Sequence, residues 1–158
     1  MSTESAQIGL EEFQQLIDEA LPLCRLFGIR TESIGYGEAT MKMHFNPDLI
    51  RPGGTVAGPA LMAIADATLY AVVLGMIGRV ELAVTTSLNI NFLRKPPQAD
   101  IIAEGRILKL GQRLAVGEVM LFSEGVDEPV ADLEAIAQFI EAGVDIVLAP
   151  AVGSVPGF

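Results

Sequence analysis

Histidine and cysteine each occur once in these 158 residues, as His44 and Cys24. A single cysteine excludes an intrachain disulfide and a thiolate metal site, and one histidine beside it leaves no basis for a structural zinc centre. Cations are scarce as well: 10 Lys and Arg stand against 20 Asp and Glu, a formal net charge of -10. That balance argues against nucleic acid, whose phosphates have to be met by basic side chains. The N-terminus, MSTESAQIGLEEF, lacks the basic-then-apolar pattern of an export signal, so the expected location is cytoplasmic. Internal repeats and low-complexity tracts are missing. Gly53-Gly54 has neither the lysine nor the spacing of a phosphate loop.

What the chain has in excess is apolar character. Hydrophobic residues make up 51% of it, and the mean hydropathy is +0.46. At this length a single domain with a substantial core is expected, and such a surplus implies a buried interface or a membrane segment. The most apolar run, residues 56–77, reads VAGPALMAIADATLYAVVLGMI and holds one charge, Asp66. A charge desolvated without a partner costs several kcal/mol, so a fold rarely keeps one there without a use. The run has about the 20 residues a bilayer requires. The chain around it alternates like a soluble sheet in need of a covering helix, so we read no membrane span.

Residues 8–20 place Ile8, Phe13, Leu16 and Ile17 on one side and acids on the other, an amphipathic helix. Over 38–45, Ala39, Met41, Met43 and Phe45 alternate with Glu38, Thr40, Lys42 and His44, a half-buried strand. His44 falls on its polar face and reads as a solvated residue. Residues 46–55 form a turn-rich loop. Gly58-Pro59 starts a long helix that stops near Gly78. Further strands are expected at 84–94, 101–110, 113–123 and 130–140, the last despite a composition that also suits helix. Consecutive strands with a helix on one face describe an α+β domain with an antiparallel sheet. A helix apolar nearly all round needs cover on every side, and one small sheet supplies only part of it. A homodimer or homotetramer supplies the rest.

Three segments carry a family resemblance: Gly54-Thr55-Val56-Ala57-Gly58 with Ala65-Asp66-Ala67; Ala83-Val84-Thr85-Thr86 leading into Leu88 to Arg94; and RILKLGQRLAVGEVML. In order and spacing they resemble the hotdog-fold thioesterases, in the phenylacetic acid degradation and 4-hydroxybenzoyl-CoA branch. The resemblance covers about residues 35–141, with 1–30 as an N-terminal helical segment and 142–158 as a C-terminal extension. It implies an antiparallel sheet wrapped around a central helix, self-association, an acyl-CoA substrate, and no metal or redox cofactor. Gly58 and Asp66 hold the positions of the family's glycine and acid. Ala57 stands where the family has histidine, and Pro59 where it has a second glycine.

Thioester hydrolysis needs an activated water or nucleophile and donors for the developing oxyanion. Asp66 is the expected general base or nucleophile. The Gly58 amide, at a helix N-terminus, is the expected oxyanion donor. Around them we place Arg51, seven residues before Gly58, and Tyr70, one turn beyond Asp66. Thr86 and Ser87 are pocket candidates. Arg94, Lys95 and Arg113 either meet the phosphates of coenzyme A or are solvated surface charges. With the histidine missing, an acyl-CoA or small-lipid binding protein without catalysis is the competing reading. A purely structural partner subunit is a third.

Overall fold

The computed structural model describes residues 4–138. The chain forms α1 (Leu10–Ala20), α2 (Pro22–Leu26), β1 (Ile29–Ile34), β2 (Glu38–Met43), a 3-10 turn (Pro47–Leu49), β3 (Ile50–Arg51) and β4 (Thr55–Val56). Then follow α3 (Gly58–Ile77), β5 (Val84–Phe92), β6 (Ile101–Leu110), β7 (Leu114–Ser123) and β8 (Pro129–Gln138). Six strands make one antiparallel sheet in the order β1-β2-β6-β7-β8-β5, while β3 and β4 form a small separate hairpin. The long α3 lies across the inner face of the sheet. This is the hotdog arrangement expected from the sequence.

Inward side chains follow the strand period of two. On β2 they are Ala39, Met41 and Met43, and on β8 Ala131, Leu133, Ala135 and Ala137, all buried. Residues 130–138 thus form a strand although Ala, Leu and Glu favour helix, because pairing with both β7 and β5 outweighs local propensity. The sheet makes room for α3 with small residues. A Cβ added at Gly117 would lie 2.4 Å from Leu69, and one at Gly105 would lie 2.8 Å from Thr68 and Val72. At the far end of the helix Gly75 touches the β1–β2 turn so closely that a Cβ there would lie 2.3 Å from the Gly35 carbonyl oxygen.

α1 buries Phe13, Leu16 and Ile17, with Ile8 just ahead of it, packing beside β1 and α2 and meeting α3 where the Phe13 ring touches Tyr70. Gln14, also buried, accepts a bond from the Thr31 N–H at 2.8 Å, tying α1 to β1. The Gln7 N–H donates to the Gly75 carbonyl at 2.8 Å. By length and composition α3 passes for a membrane span, yet 67% of its most apolar window is buried inside the fold.

Three local expectations differ. The strand expected over 38–45 ends at Met43, and Phe45 is 38% exposed because its N–H is taken by the Asp100 carboxylate at 2.7 Å. The loop at 46–55 contains the β3–β4 hairpin. The sheet also begins earlier, at Ile29, with a strand whose burial does not alternate cleanly. The extension at 142–158 lies outside the described residues.

Candidate active site

Asp66 sits in the middle of α3, and within one protomer it is exposed rather than desolvated. Pro59, Met62 and Asp66 form an exposed stripe at i, i+3 and i+7 of the helix. From the sequence, one sheet is expected to cover only part of this run. In the protomer this one stripe is left open, and it is the stripe that holds the only charge.

The carboxylate is held from the sheet. Thr85 Oγ1 donates to Asp66 Oδ1 at 2.5 Å. This partner was missed at the sequence level, where Thr86 and Ser87 were the candidates. The reason is a β-bulge: Thr85 registers with Ala137 and Ser87 with Ile136, so Thr86 is the extra residue. Counting back by twos from Ile90 and Leu88 puts Thr86 on the inner face and Thr85 outside. The bulge reverses that parity. Thr86 instead bonds the Ile136 carbonyl at 3.2 Å, and Ser87 lies on the outer register with Asn89 and Asn91.

Beside Asp66 opens a cavity of about 380 Å3. Leu16, Ile17, Ala20 and Leu21 wall it on the α1 side, Asp66, Ala67 and Tyr70 on the α3 side, and Glu81, Ala83, Val84 and Thr85 close it. The Tyr70 ring packs on Phe13 with centroids 5.8 Å apart, and its hydroxyl donates to the Glu81 carbonyl at 3.3 Å. Burial, and then the Glu81 carboxylate, hold the Tyr70 hydroxyl above the ordinary phenol range. A larger hollow of about 660 Å3 lies between β1, β2, β6 and β7, where Glu38, Glu104, Arg106 and Glu118 line it. Size does not choose between them. The larger hollow mixes four charged side chains with small and apolar residues of the sheet and the β1–β2 turn and has no carboxylate held toward an apolar wall, whereas the smaller joins an apolar wall to an oriented carboxylate.

Gly58 is the first residue of α3, with Ala57 as an N-cap that makes no side-chain bond. Ala60 and Leu61 both donate to the Ala57 carbonyl, and Pro59 has no N–H, so the Gly58 amide is the remaining donor of the first turn. A Cβ at Gly58 would lie 3.3 Å from the Phe92 ring, at the far end of β5 from Thr85. Gly58 and Asp66 are eight residues apart, about 12 Å along the axis at 1.5 Å per residue.

Of the other candidates, Arg51 is exposed on β3, opposite Thr55. Arg94 pairs with Glu128 at 3.1 Å on the surface, and Lys95 beside it is exposed. Both follow the end of β5 nearest Gly58. Arg113, in the β6–β7 turn, precedes Leu114, which registers with Gln138 and through it with Val84. It therefore belongs to the Asp66 end, and the three cations do not converge. Among the described residues no three His, Cys, Asp or Glu side chains gather as metal ligands. His44 lies 3.5 Å from Asp100, whose carboxyl is held below its usual range by the Phe45 N–H and then by His44 and Lys42.

Residues 53–130 match the Thioesterase superfamily. Across 86% of this chain and 94% of the other, a protein from Silicibacter sp. TM1040 assigned as a thioesterase is 37% identical, with a TM-score of 0.78. The chain belongs to the thioesterase superfamily. Another similar structure is that of a point mutant of the phenylacetic acid degradation protein PaaI from Thermus thermophilus. It is 25% identical, over 75% of this chain and 97% of that one, with a TM-score of 0.67. A protein from Saccharolobus solfataricus assigned as an esterase is 28% identical over 116 residues, 73% of this chain and 75% of that one. The superfamily match takes in Gly58, Asp66, Thr85 and Arg94, and leaves out α1.

Proposed function

We propose that this superfamily member hydrolyses the thioester of an aryl- or acyl-CoA, at a site completed by two copies of the chain. The observation that carries the reading is the Asp66 carboxylate, oriented by Thr85 at the mouth of an apolar cavity. With Oδ1 engaged, Oδ2 is the oxygen for a water or for direct attack. As general base, Asp66 takes a proton from water while the water oxygen bonds to the thioester carbon. The carbonyl oxygen becomes an oxyanion, the C–S bond breaks, and the coenzyme A thiolate leaves to be protonated. As nucleophile, Asp66 forms an acyl anhydride that water then cleaves.

The oxyanion needs a donor within about 3 Å, and the base must reach the attacking water within about 3 Å. Fully extended, such a chain of contacts spans about 10 Å, short of the roughly 12 Å between Gly58 and Asp66 along one helix. The spacing favours a donor from the Gly58 of a second subunit. The open stripe on α3 is the surface through which that subunit approaches. Lys95 and Arg94, at the Gly58 end, are then placed for the coenzyme A phosphates, since Arg94 is held only by an exposed pair worth little. No metal or redox cofactor enters the reaction as written.

The test is thiol release from a panel of aryl- and acyl-CoA esters by the wild type and Asp66→Asn. We expect turnover in the wild type and a loss of about 100- to 10,000-fold in the variant, the range of a general base. Undetectable turnover with every ester, or full activity in Asp66→Asn, overturns the reading. Binding without hydrolysis is the second reading, and Ala57 favours it, because no imidazole stands at the helix start to polarise the thioester. Calorimetry separates the two: acyl-CoA binding with no turnover selects it.

A further inference from the structure

We propose that α1 is the specificity wall of the acyl site, with Ala20 and Leu21 limiting an uncharged apolar acyl chain. The inference rests on the reading that Asp66 addresses a thioester, and it adds which acyl groups fit. The cavity beside the carboxylate is walled on one side by Leu16, Ile17, Ala20 and Leu21. All four precede residue 53, where the superfamily match begins, so this wall is a property of the chain rather than of the matched segment. It is a fixed wall. Phe13 and Ile17 are fully buried, Gln14 is bonded to the β1 backbone, and the Phe13 ring packs on Tyr70 across the helix pair.

Charge narrows the class. Among the described residues, the ionisable groups lining the cavity are two carboxylates, Asp66 and Glu81, and the Tyr70 phenol. The carboxyl end of α1, with its partial negative charge, faces the same space. Arg79, two residues before Glu81, is engaged by Glu81 at 2.8 Å and by Glu12 at 4.0 Å. A second carboxylate on the acyl chain would meet these two acids, and among the described residues no cation lines the cavity. Apolar walls of this size suit an uncharged chain of moderate length.

Ala20 is exposed and Leu21 is half-buried at the edge of the core, so neither change is made at a fully buried position. The experiment uses S-alkyl coenzyme A thioethers of increasing chain length, which bind without being cleaved, alongside the matching acyl-CoA esters. Calorimetric affinity in the wild type is expected to rise about fourfold for each methylene seated in the cavity, then stop at a limiting length. Ala20→Leu is expected to shorten that limit by about two methylenes, and Leu21→Ala to extend it. Leu26→Ala, on the exposed face of α2, keeps the wild-type limit. An ω-carboxyl thioether is expected to bind at least tenfold more weakly than its methyl-ended counterpart.

If Ala20→Leu and Leu21→Ala keep the wild-type limit, or change affinity by the same factor at every length, the wall is overturned. An ω-carboxyl thioether that binds as well as the methyl-ended one overturns the charge selection. Thioethers that show the shifted limits while no ester is cleaved uphold the wall and overturn the hydrolytic reading. Thioethers that do not bind at all overturn both.

Discussion

The Thr85 hydroxyl and the Asp66 carboxylate meet at 2.5 Å, joining the start of the edge strand to the middle of the long helix. The contact exists because β5 carries one residue more than β8 between Thr85 and Ser87. Thr85→Val removes the donor while keeping the shape and the strand preference. We expect kcat to fall about tenfold with KM nearly unchanged, since a hydrogen bond to a charged group contributes about 1.5 kcal/mol at the lower end of its range. Thr86→Val, one residue along, is expected to leave kcat within about twofold, because its hydroxyl serves only a β8 carbonyl. Steady-state kinetics of the two variants side by side checks this, and equal losses would refute it.

A site divided between two subunits, as proposed, has its own signature. Gly58→Pro deletes the amide donor at a first-turn position that tolerates proline, and Ala57 before it already has the extended backbone that a following proline requires. Gly58→Pro and Asp66→Asn are each expected to be nearly inactive as pure proteins. Unfolded together and refolded as a mixture, half of the pairs would be hybrids, each with one intact site. Activity is then expected to return to about one quarter of wild type. No recovery in a mixture shown by mass spectrometry to contain hybrids would place both groups in the same subunit.

The lone thiol supplies a pH dependence of stability. Burial, and then the charges of Asp66 and Asp18, push Cys24 from 9.0 up to about 11. Between those values the unfolded chain has lost the thiol proton and the folded chain still holds it. Stability therefore falls as pH rises through this window, and the thiol contributes nothing below it. The loss is about 2 kcal/mol by pH 11. Urea unfolding of wild type and Cys24→Ala from pH 8 to 11 tests it: the variant should lose less stability over the range. Parallel curves would refute the assignment. At pH 8 the native thiol should also resist alkylation until the chain unfolds.

Much of this molecule was legible in the order of its residues. The long helix, the alternation of β2 and the hairpin strands follow from periods of 3.6 and 2, which depend on nothing outside each segment. Asp66 stood out because a single charge in a long apolar run is conspicuous in one dimension. Thr85 did not, because a bulge is decided by two neighbouring strands together, and parity within β5 pointed to Thr86. The cavity wall on α1 was equally hidden. Leu16 and Ala20 are ordinary members of an amphipathic helix until the fold brings them beside Asp66. Phe45 misled for the opposite reason, since it continues a clean alternation that the Asp100 carboxylate interrupts from another part of the chain.

Gly75 is nine residues from Asp66, has no side chain, and touches no part of the cavity. Yet its contact with the Gly35 carbonyl sets how far α3 can sink toward the β1–β2 turn. In an ordinary helix interior Gly→Ala adds about 1 kcal/mol of stability. Here a Cβ would meet a backbone oxygen at 2.3 Å, so the helix has to shift, at a cost of about 1–3 kcal/mol. The shift would carry Asp66 with it, and a displacement of about 1 Å can cost 100-fold in rate. Gly75→Ala should therefore melt lower and work more slowly, although every group that meets the thioester is intact. The aim of the carboxylate is calibrated by a residue that takes no part in the reaction.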